Sequence, residues 1–315
     1  VIVNNASIKE FFVGLSAKYQ EGIDSVANSA TGKDWMKIVE EIPSDTAENL
    51  YGWLGSFPSM RKWVGERFLA SMRSEAYRVA NDPFESTIEV DRFALEDNQL
   101  GQFSSLAKMR GIMAGKHPSI LAFSALKNGV STNCYDGQFF FDTDHPKYNR
   151  DGTTTTWSNF IAGANPTWYL LANNMGLKPI IVQNRQDYTL RSLMDLNDSR
   201  VMITNKFLFG VDARKGVGYG FPQMAIASRA ALTADNLFAA MVQGAQQTDE
   251  NGDPLGIMFD TLVVGPSNMQ AAKQTVSASL VPLVATVTGS GTNFTGGNTN
   301  VAQGLVDVVV SPYLP

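Results

Sequence analysis

Phe84-Glu-Ser-Thr-Ile-Glu-Val-Asp-Arg-Phe-Ala-Leu-Glu-Asp-Asn-Gln-Leu-Gly101 is the stretch on which the fold turns. Ile88 and Val90 alternate with Thr87, Glu89 and Asp91, the period of a strand with one face buried and one in water. The period then changes. Leu100, Phe103, Leu106, Met109 and Met113 recur every three or four residues and predict a long helix over 99–114. A second helix is expected behind it, with Pro118 at its first position and Gly129 beyond its end. The strand is acidic, with Glu85, Glu89, Asp91, Glu96 and Asp97 set against Arg92 alone. It follows a basic stretch, in which Arg61, Lys62, Arg67, Arg73 and Arg78 stand against Glu66 and Glu75. A basic arm feeding an acidic strand is one reading; two unrelated solvated faces is the plainer one.

Working outward, Ser7 and Glu10 have capping-box spacing at a helix start. Ile8, Phe11, Phe12, Leu15 and Tyr19 then share one face at helical spacing. Residues 21–33 are rich in Gly, Ser, Ala and Asn and read as a flexible connector. An amphipathic helix on a loose tether is therefore expected, the alternative being a helix packed on its own domain. A short helix over 34–42 should turn Trp35, Ile38, Val39 and Ile42 inward and stop at Pro43. The aromatic stretch carrying Trp53 and Phe57 leads on to Trp63. Further strands are expected at 179–183, 206–211, 261–264 and 305–310. Helices are expected behind the caps Thr233 and Ser267, the latter with Met269, Ala272 and Val276 inward. Helices and strands follow one another without a βαβ rhythm, which predicts an α+β fold.

The chain has 315 residues, of which 44% are hydrophobic, enough for one large or two ordinary domains with a sizeable core. No run reaches the ~18–20 apolar residues of a membrane-spanning helix, and Lys9 and Glu10 break any signal-peptide pattern. The single cysteine, Cys134, excludes an intrachain disulfide and fits folding in a reducing compartment. A net charge of −5 argues against a protein that neutralises phosphates, so nucleic acid nearby would be contained and not gripped. Charged residues make up 17%, against ~25% in typical soluble chains, which suggests that much of the surface meets other protein.

Signs of chemistry are few. There are two histidines, His117 and His145. His117 precedes Pro118 at an expected helix start, where a capping or surface role is the reading. His145 lies in Phe141-Asp-Thr-Asp-His-Pro146, and Asp142, Asp144 and His145 superficially resemble a ligand set or the core of a hydrolase. Neighbours in one turn ligate poorly without distant partners, and Asp and Pro are ordinary turn residues. Asp249, Asn251, Asp253 and Asp260 fall at calcium-loop positions, but Pro254 stands where that loop needs Gly. A tight turn at Asn251-Gly252 is the better reading. Gly216, Gly218 and Gly220 lack phosphate-loop spacing, and Cys134 has no adjacent base. No catalytic, metal or cofactor residue is assigned.

The stretch from Phe84 to Gly101 resembles the segment ahead of the long helix in Mu-like phage major head subunits. Other stretches agree in the same order: Trp53-Leu-Gly55, Phe141 to Pro146, Lys178 to Gln183, Phe209 to Arg214 with Gly218 to Phe221, Leu262 to Pro266, and Val308 to Leu314. The resemblance implies the Hong Kong 97-type capsid fold: an N-terminal arm, an extended loop, a peripheral domain with a long spine helix, and an axial domain. Residues 1–43 would then be arm and connector, 44–84 the extended loop region, and 85–130 the peripheral strand and spine helix. Residues 131–315 would form the axial domain with returning peripheral strands. The implied role is self-assembly as pentamers and hexamers into an icosahedral head around double-stranded DNA, without sequence-specific binding or a membrane. A scaffold protein, a portal and a cementing protein are the implied partners, the host bacterial cytoplasm the place of assembly and the virion the destination.

On that reading Phe11, Phe12, Leu15, Trp53, Phe57 and Trp63 would supply apolar contacts between subunits. Arg61, Arg67 and Arg73 would meet Glu85, Glu89 and Asp91 of a neighbour. Asn251, Gly252 and Asp253 would form a loop near a symmetry axis. The rival reading is another virion structural or carbohydrate-binding, tail-associated protein, which shares the low charge and the Gly/Thr/Asn loop at 288–300.

Overall fold

Helix α1 covers Asn5–Ala27 and α2 Asp34–Ile38, followed by strands β1 (Val39–Pro43), β2 (Glu48–Tyr51), β3 (Tyr77–Ala80) and β4 (Asp82–Asp91). Helix α3 (Arg92–Glu96) leads into α4, Leu100–Asn128. Strands β5 (His145–Tyr148), β6 (Thr154–Trp157), β7 (Phe160–Ile161), β8 (Trp168–Leu171) and β9 (Ile180–Leu193) precede α5 (Ser199–Thr204). The chain continues through β10 (Lys206–Tyr219), β11 (Ala225–Ser228), α6 (Ala234–Ala245), β12 (Thr261–Val264) and α7 (Met269–Ala272). Strands β13 (Leu280–Pro282), β14 (Gly297–Thr299) and β15 (Asp307–Val310) come last. This computed structural model describes residues 5–51, 77–96, 100–149, 153–249, 252–282 and 297–315. The mixture is α+β, in two units: Val1–Asn49, Arg78–Ala122 and Val182–Val217, then Leu50–Tyr77, Phe123–Ile181 and Gly218–Pro315.

The first unit holds a sheet of order β1-β9-β10-β4. Strands β4 and β10 pair antiparallel from Lys206↔Asp91 to Lys215↔Asp82. Val90 is buried and Phe84 and Ile88 half-buried, while Glu85, Thr87 and Glu89 are exposed, so the alternation in the sequence sets which face is dry. Helices α1 and α4 contribute to the apolar cluster on that face: Ile8, Leu15, Val90, Ala107, Val201, Phe207 and Phe209, ringed by Phe11, Phe12, Ile88 and Phe103. Phe12 stacks on Phe209 at 5.9 Å, and Phe11 meets Phe103 and Phe209 edge-on at 6.1 and 6.0 Å.

Three expectations fail in this unit, each for a local reason. The connector expected from residue 21 is helical to Ala27. Gly22 serves close approach and not flexibility: a Cβ there would lie 2.2 Å from the Lys108 carbonyl oxygen, and one on Gly111 would lie 2.0 Å from that of Tyr19. The two helix backbones touch, which only glycine permits. The expected break before Pro118 is also absent, since α4 runs 29 residues with Pro118 inside it. An interior proline costs about 3 kcal/mol. Phe123 and Leu126 are buried beyond it, and burying each of these large apolar side chains returns roughly 1.5–3 kcal/mol. Finally, the helix expected over 34–42 stops at Ile38, and Val39-Glu-Glu-Ile-Pro43 continues as edge strand β1, with Val39 buried and Glu41 exposed.

The second unit holds a sheet of order β15-β12-β8-β11-β7. Strand β8 runs antiparallel to β11 and β12, while β12 and β15 are parallel from Thr261↔Asp307 to Val264↔Val310. Every residue of β8, β11 and β12 is buried, which explains their unbroken apolar runs. Phe140 stacks on Tyr219 at 4.4 Å, and the Tyr219 hydroxyl donates to the Ala125 carbonyl at 2.8 Å. Thr233 caps α6 as expected, its hydroxyl accepting from the Asn236 amide at 3.3 Å. Ser267 lies inside a 3₁₀ turn, Pro266–Asn268, and does not cap α7; Met269 is exposed, while Ala272 and Val276 are buried.

Candidate subunit interface

The apolar face of α1 is closed on its own unit. Leu15 is buried, and Phe11 and Phe12 are half-buried against Phe103 and Phe209. A loosely tethered arm that carries this face to a neighbour is therefore corrected: Phe207 and Phe209 of the same chain already cover it. On its other side α1 exposes Val13, with Lys18 and Glu21 in an ion pair at 2.7 Å.

Glu85, Glu89 and Asp91 lie on the exposed row of β4. They are unequally available. Glu89 pairs with Lys206 of the same chain at 2.6 Å; that hydrogen bond, and then the Lys206 charge, holds its carboxyl below the ordinary range. Asp91 accepts the Phe93 amide at 2.8 Å, and Glu85 accepts the Thr87 hydroxyl at 2.7 Å. Trp53, Phe57, Arg61, Trp63, Arg67 and Arg73 lie outside the described residues. The strands that bracket them are built firmly. β2 pairs with β3, and the Tyr51 and Tyr77 rings lie 6.5 Å apart. Beside them Asn81 donates to the Ser44 hydroxyl at 2.8 Å and to the Thr46 carbonyl at 3.0 Å.

The turn at residues 249–254 is as tight as expected. Gly252 has φ +88°, and its amide donates to the Asp249 carbonyl at 3.1 Å. The Asp249 carboxylate accepts the Asp253 amide at 2.9 Å, so it serves its own backbone. Asp260 is likewise engaged by the Asn173 amide and side chain and by the Thr261 hydroxyl, against the calcium-loop pattern. Asn251 lies outside the described residues.

His145 is fully buried, with Nδ1 2.7 Å from Asp136 and Nε2 3.2 Å from the Asn159 side-chain oxygen. The Asp142 carboxylate instead accepts the Thr143 amide at 2.7 Å, and Asp144 is exposed. Asp142, Asp144 and His145 thus do not converge. Asp136 and Asn159, the real partners, were missed in the sequence, although Cys134, Asp136 and His145 recur within one short stretch. The Cys134 thiol donates to Asp136 at 3.0 Å, and burial, then the Asp136 charge, pushes it upward. The ligand atoms of Cys134, Asp136 and His145 lie within 4.8 Å of one another, and Asp136 joins the other two by hydrogen bonds of 2.7 and 3.0 Å. His117 sits in mid-helix with Nδ1 2.8 Å from the Tyr188 hydroxyl, and burial, then the Lys215 charge, lowers its pKa. Among the described residues no helix is long and apolar enough to cross a membrane.

Comparison with known proteins adds a consistent set of likenesses. A family model described as the Mu-like prophage major head subunit gpT matches residues 8–314. The Mu-like prophage FluMu major head subunit of Haemophilus influenzae is 38% identical over 282 residues, covering 87% of this chain and 89% of the relative. The major capsid protein of Escherichia phage Mu is 34% identical over 323 residues, covering all of both chains. The chain solved in the procapsid of bacteriophage JBD30 superposes with a TM-score of 0.80 at 34% identity, covering 99% of this chain and 100% of that one.

Proposed function

The chain belongs to the Mu-like phage major head subunit family, and from that premise we propose that it works entirely by association with copies of itself and with other head proteins. It is a major capsid protein with the Hong Kong 97-type α+β fold, and it builds an icosahedral head. The observation that carries this is the full-length superposition on the JBD30 procapsid chain, which leaves 1% of this chain uncovered. Pentamers and hexamers close around double-stranded DNA, guided by a scaffold protein, interrupted at one vertex by a portal and reinforced by a cementing protein. Assembly takes place in the host bacterial cytoplasm. The protein performs no catalysis.

Closed shells need heterologous contacts that repeat around each axis. In this reading the extended loop carries Arg61, Arg67 and Arg73 to the acidic row of a neighbour's β4. Glu85, held by the neighbouring Thr87 hydroxyl, is the readiest partner, because Glu89 must first give up a charged Lys206 and Asp91 the Phe93 amide. Such pairs set register and assembly rate more than affinity. Trp53, Phe57 and Trp63 supply the apolar burial, at roughly 25 cal/mol per Å². Phe11, Phe12 and Leu15 support the contact indirectly, by holding α1 on its own sheet. The turn at Asn251, Gly252 and Asp253 lies near a symmetry axis.

Expression with the neighbouring virion genes, followed by sedimentation, tests the proposal. Shell-sized particles are expected; a chain that stays in small closed oligomers with scaffold present contradicts it. Arg67→Glu tests the charge pairing: shells should be lost while the subunit remains folded, and normal shells from that variant remove the idea.

A further inference from the structure

We propose that Cys134, Asp136 and His145 form a structural site for one divalent cation of the zinc class, buried in the second unit and clamping the turn at 133–139 to the start of β5. Among the described residues this is the one place where three metal-ligating side chains gather, with ligand atoms all within 4.8 Å of one another. The Cys134 thiol lies 3.0 Å from Asp136 Oδ1, and His145 Nδ1 lies 2.7 Å from Asp136 Oδ2. Each carboxylate oxygen thus faces one of the other two ligands, and the three residues present one sulfur, one nitrogen and two oxygens. A thiolate with an imidazole selects zinc, or cobalt in its place, over calcium and magnesium, which take oxygen ligands.

The two sides of the site are built separately. Cys134 and Asp136 stand on a turn closed by the Asn133–Phe139 bridge, where the Cys134 amide donates to the Gln138 carbonyl at 2.8 Å and Asp136 accepts the Gln138 amide at 3.0 Å. Gly137, with φ +86°, lets the chain turn there. His145 arrives on β5, and its cross-strand neighbour Trp157 stacks on it at 4.6 Å. Asn159 decides which ring nitrogen is left for a metal. Its Nδ2 donates to the carbonyls of Phe140 at 2.7 Å and Pro222 at 3.1 Å, and its Oδ1 accepts the Asp142 amide at 2.9 Å, so its amide has one orientation. His145 Nε2, 3.2 Å from that Oδ1, donates to it, and Nδ1 is the nitrogen turned to the cluster. A histidine held through one ring N–H, with the other nitrogen aimed at further donors, is oriented as a ligand.

Exchange of hydrogens for the ion balances in charge. Cys134 carries a thiol hydrogen, and one more stands between Nδ1 and Oδ2, because two bare lone pairs would repel there. Whichever atom holds that second hydrogen, thiol, imidazole and carboxyl together are neutral. A divalent ion bound by thiolate, carboxylate and neutral imidazole is neutral as well, and two protons leave to solvent. His145 is fully buried and Cys134 nearly so, and burial of that degree tolerates a neutral exchange where it would resist a net charge. Metal–ligand bonds then join the turn to β5 and, through Asn159, to the approach to β7 and the Pro222 carbonyl.

Cobalt is the probe, because the chain has a single cysteine and a thiolate–cobalt charge-transfer band can come only from Cys134. Full-length subunit expressed in cobalt-supplemented medium should carry one cobalt per chain and show an intense near-ultraviolet band; in Cys134→Ser the band should vanish and the cobalt content fall. Protein from zinc-supplemented medium should melt several degrees above the chelated protein, an increment lost in Cys134→Ser and reduced in Asp136→Asn. Folded wild-type protein without the cobalt band overturns the site. Zinc that raises the melting temperature equally in wild type and Cys134→Ser also overturns it, as an adventitious ion only. If a variant fails to fold, the metal content and spectrum of the wild-type protein still decide.

Discussion

At the scale of single residues, close backbone approach and buried or paired side chains set the stability of the fold. Gly111 of α4 has no room for a Cβ, because the obstacle 2.0 Å away is the Tyr19 backbone, which cannot rotate aside. Gly111→Val should cost about 1–3 kcal/mol in a urea titration. Gly14, on the exposed side of α1, meets nothing within 4 Å, and Gly14→Ala should add about 0.5–1 kcal/mol. Equal effects at the two sites would contradict the close crossing of α1 and α4. Glu21 bridges Lys18 and Lys108, whose hydrogen bonds (Lys108 first) and charges bring its carboxyl from 4.5 to about 2. A depressed folded value contributes stability above the unfolded value and loses it as the pH falls from about 4.5 towards 2. Glu21→Gln should flatten the melting temperature over that acid window, by a small amount because all three groups are solvated. Cys134 is buried and its thiol pushed upward, so alkylation at mildly alkaline pH should be slow in native protein and rapid after unfolding. Fast native modification would show that the turn at 133–139 opens.

At the scale of elements, the first unit depends on one helix–sheet layer, in which Phe209 touches both Phe11 and Phe12. Phe209→Ala should remove about 3–5 kcal/mol, visible as a lower urea midpoint. The same layer explains what the sequence disclosed. Ile88 and Val90 alternate because one face of β4 is dry, so the strand and the helix behind it were legible from period alone. Pro118 and the glycines of 21–33 misled, because a local propensity is set against tertiary burial that no short window contains. Gly22 resembles a linker residue until Gly111, far along the chain, is laid against it. The buried pair was hidden in another way. His145 stood out, but Asp136 and Asn159 approach it from separate segments, and Asp142 and Asp144 were nearer in sequence while pointing elsewhere. Of the residues proposed for the interface, the acids on β4 were legible as an exposed row by alternation; their pairing with Lys206 and with the Phe93 amide was not, since both depend on how β4 meets β10 and α3.

At the scale of the whole molecule, the family relationship and the physical reading meet in a chain built to contact its own copies. Low charge content and an acidic balance suit the subunit of a shell, which meets other copies of itself. A shell also spreads small interactions over many identical contacts, so a single reversal at Arg67 should act on assembly and leave subunit folding untouched. Negative-stain electron microscopy of the chain expressed with its neighbouring virion genes tests this most directly. Closed icosahedral shells, or the tubes and hexameric sheets of incomplete closure, are the predicted result. Only small discrete particles, with scaffold demonstrably present, would contradict it.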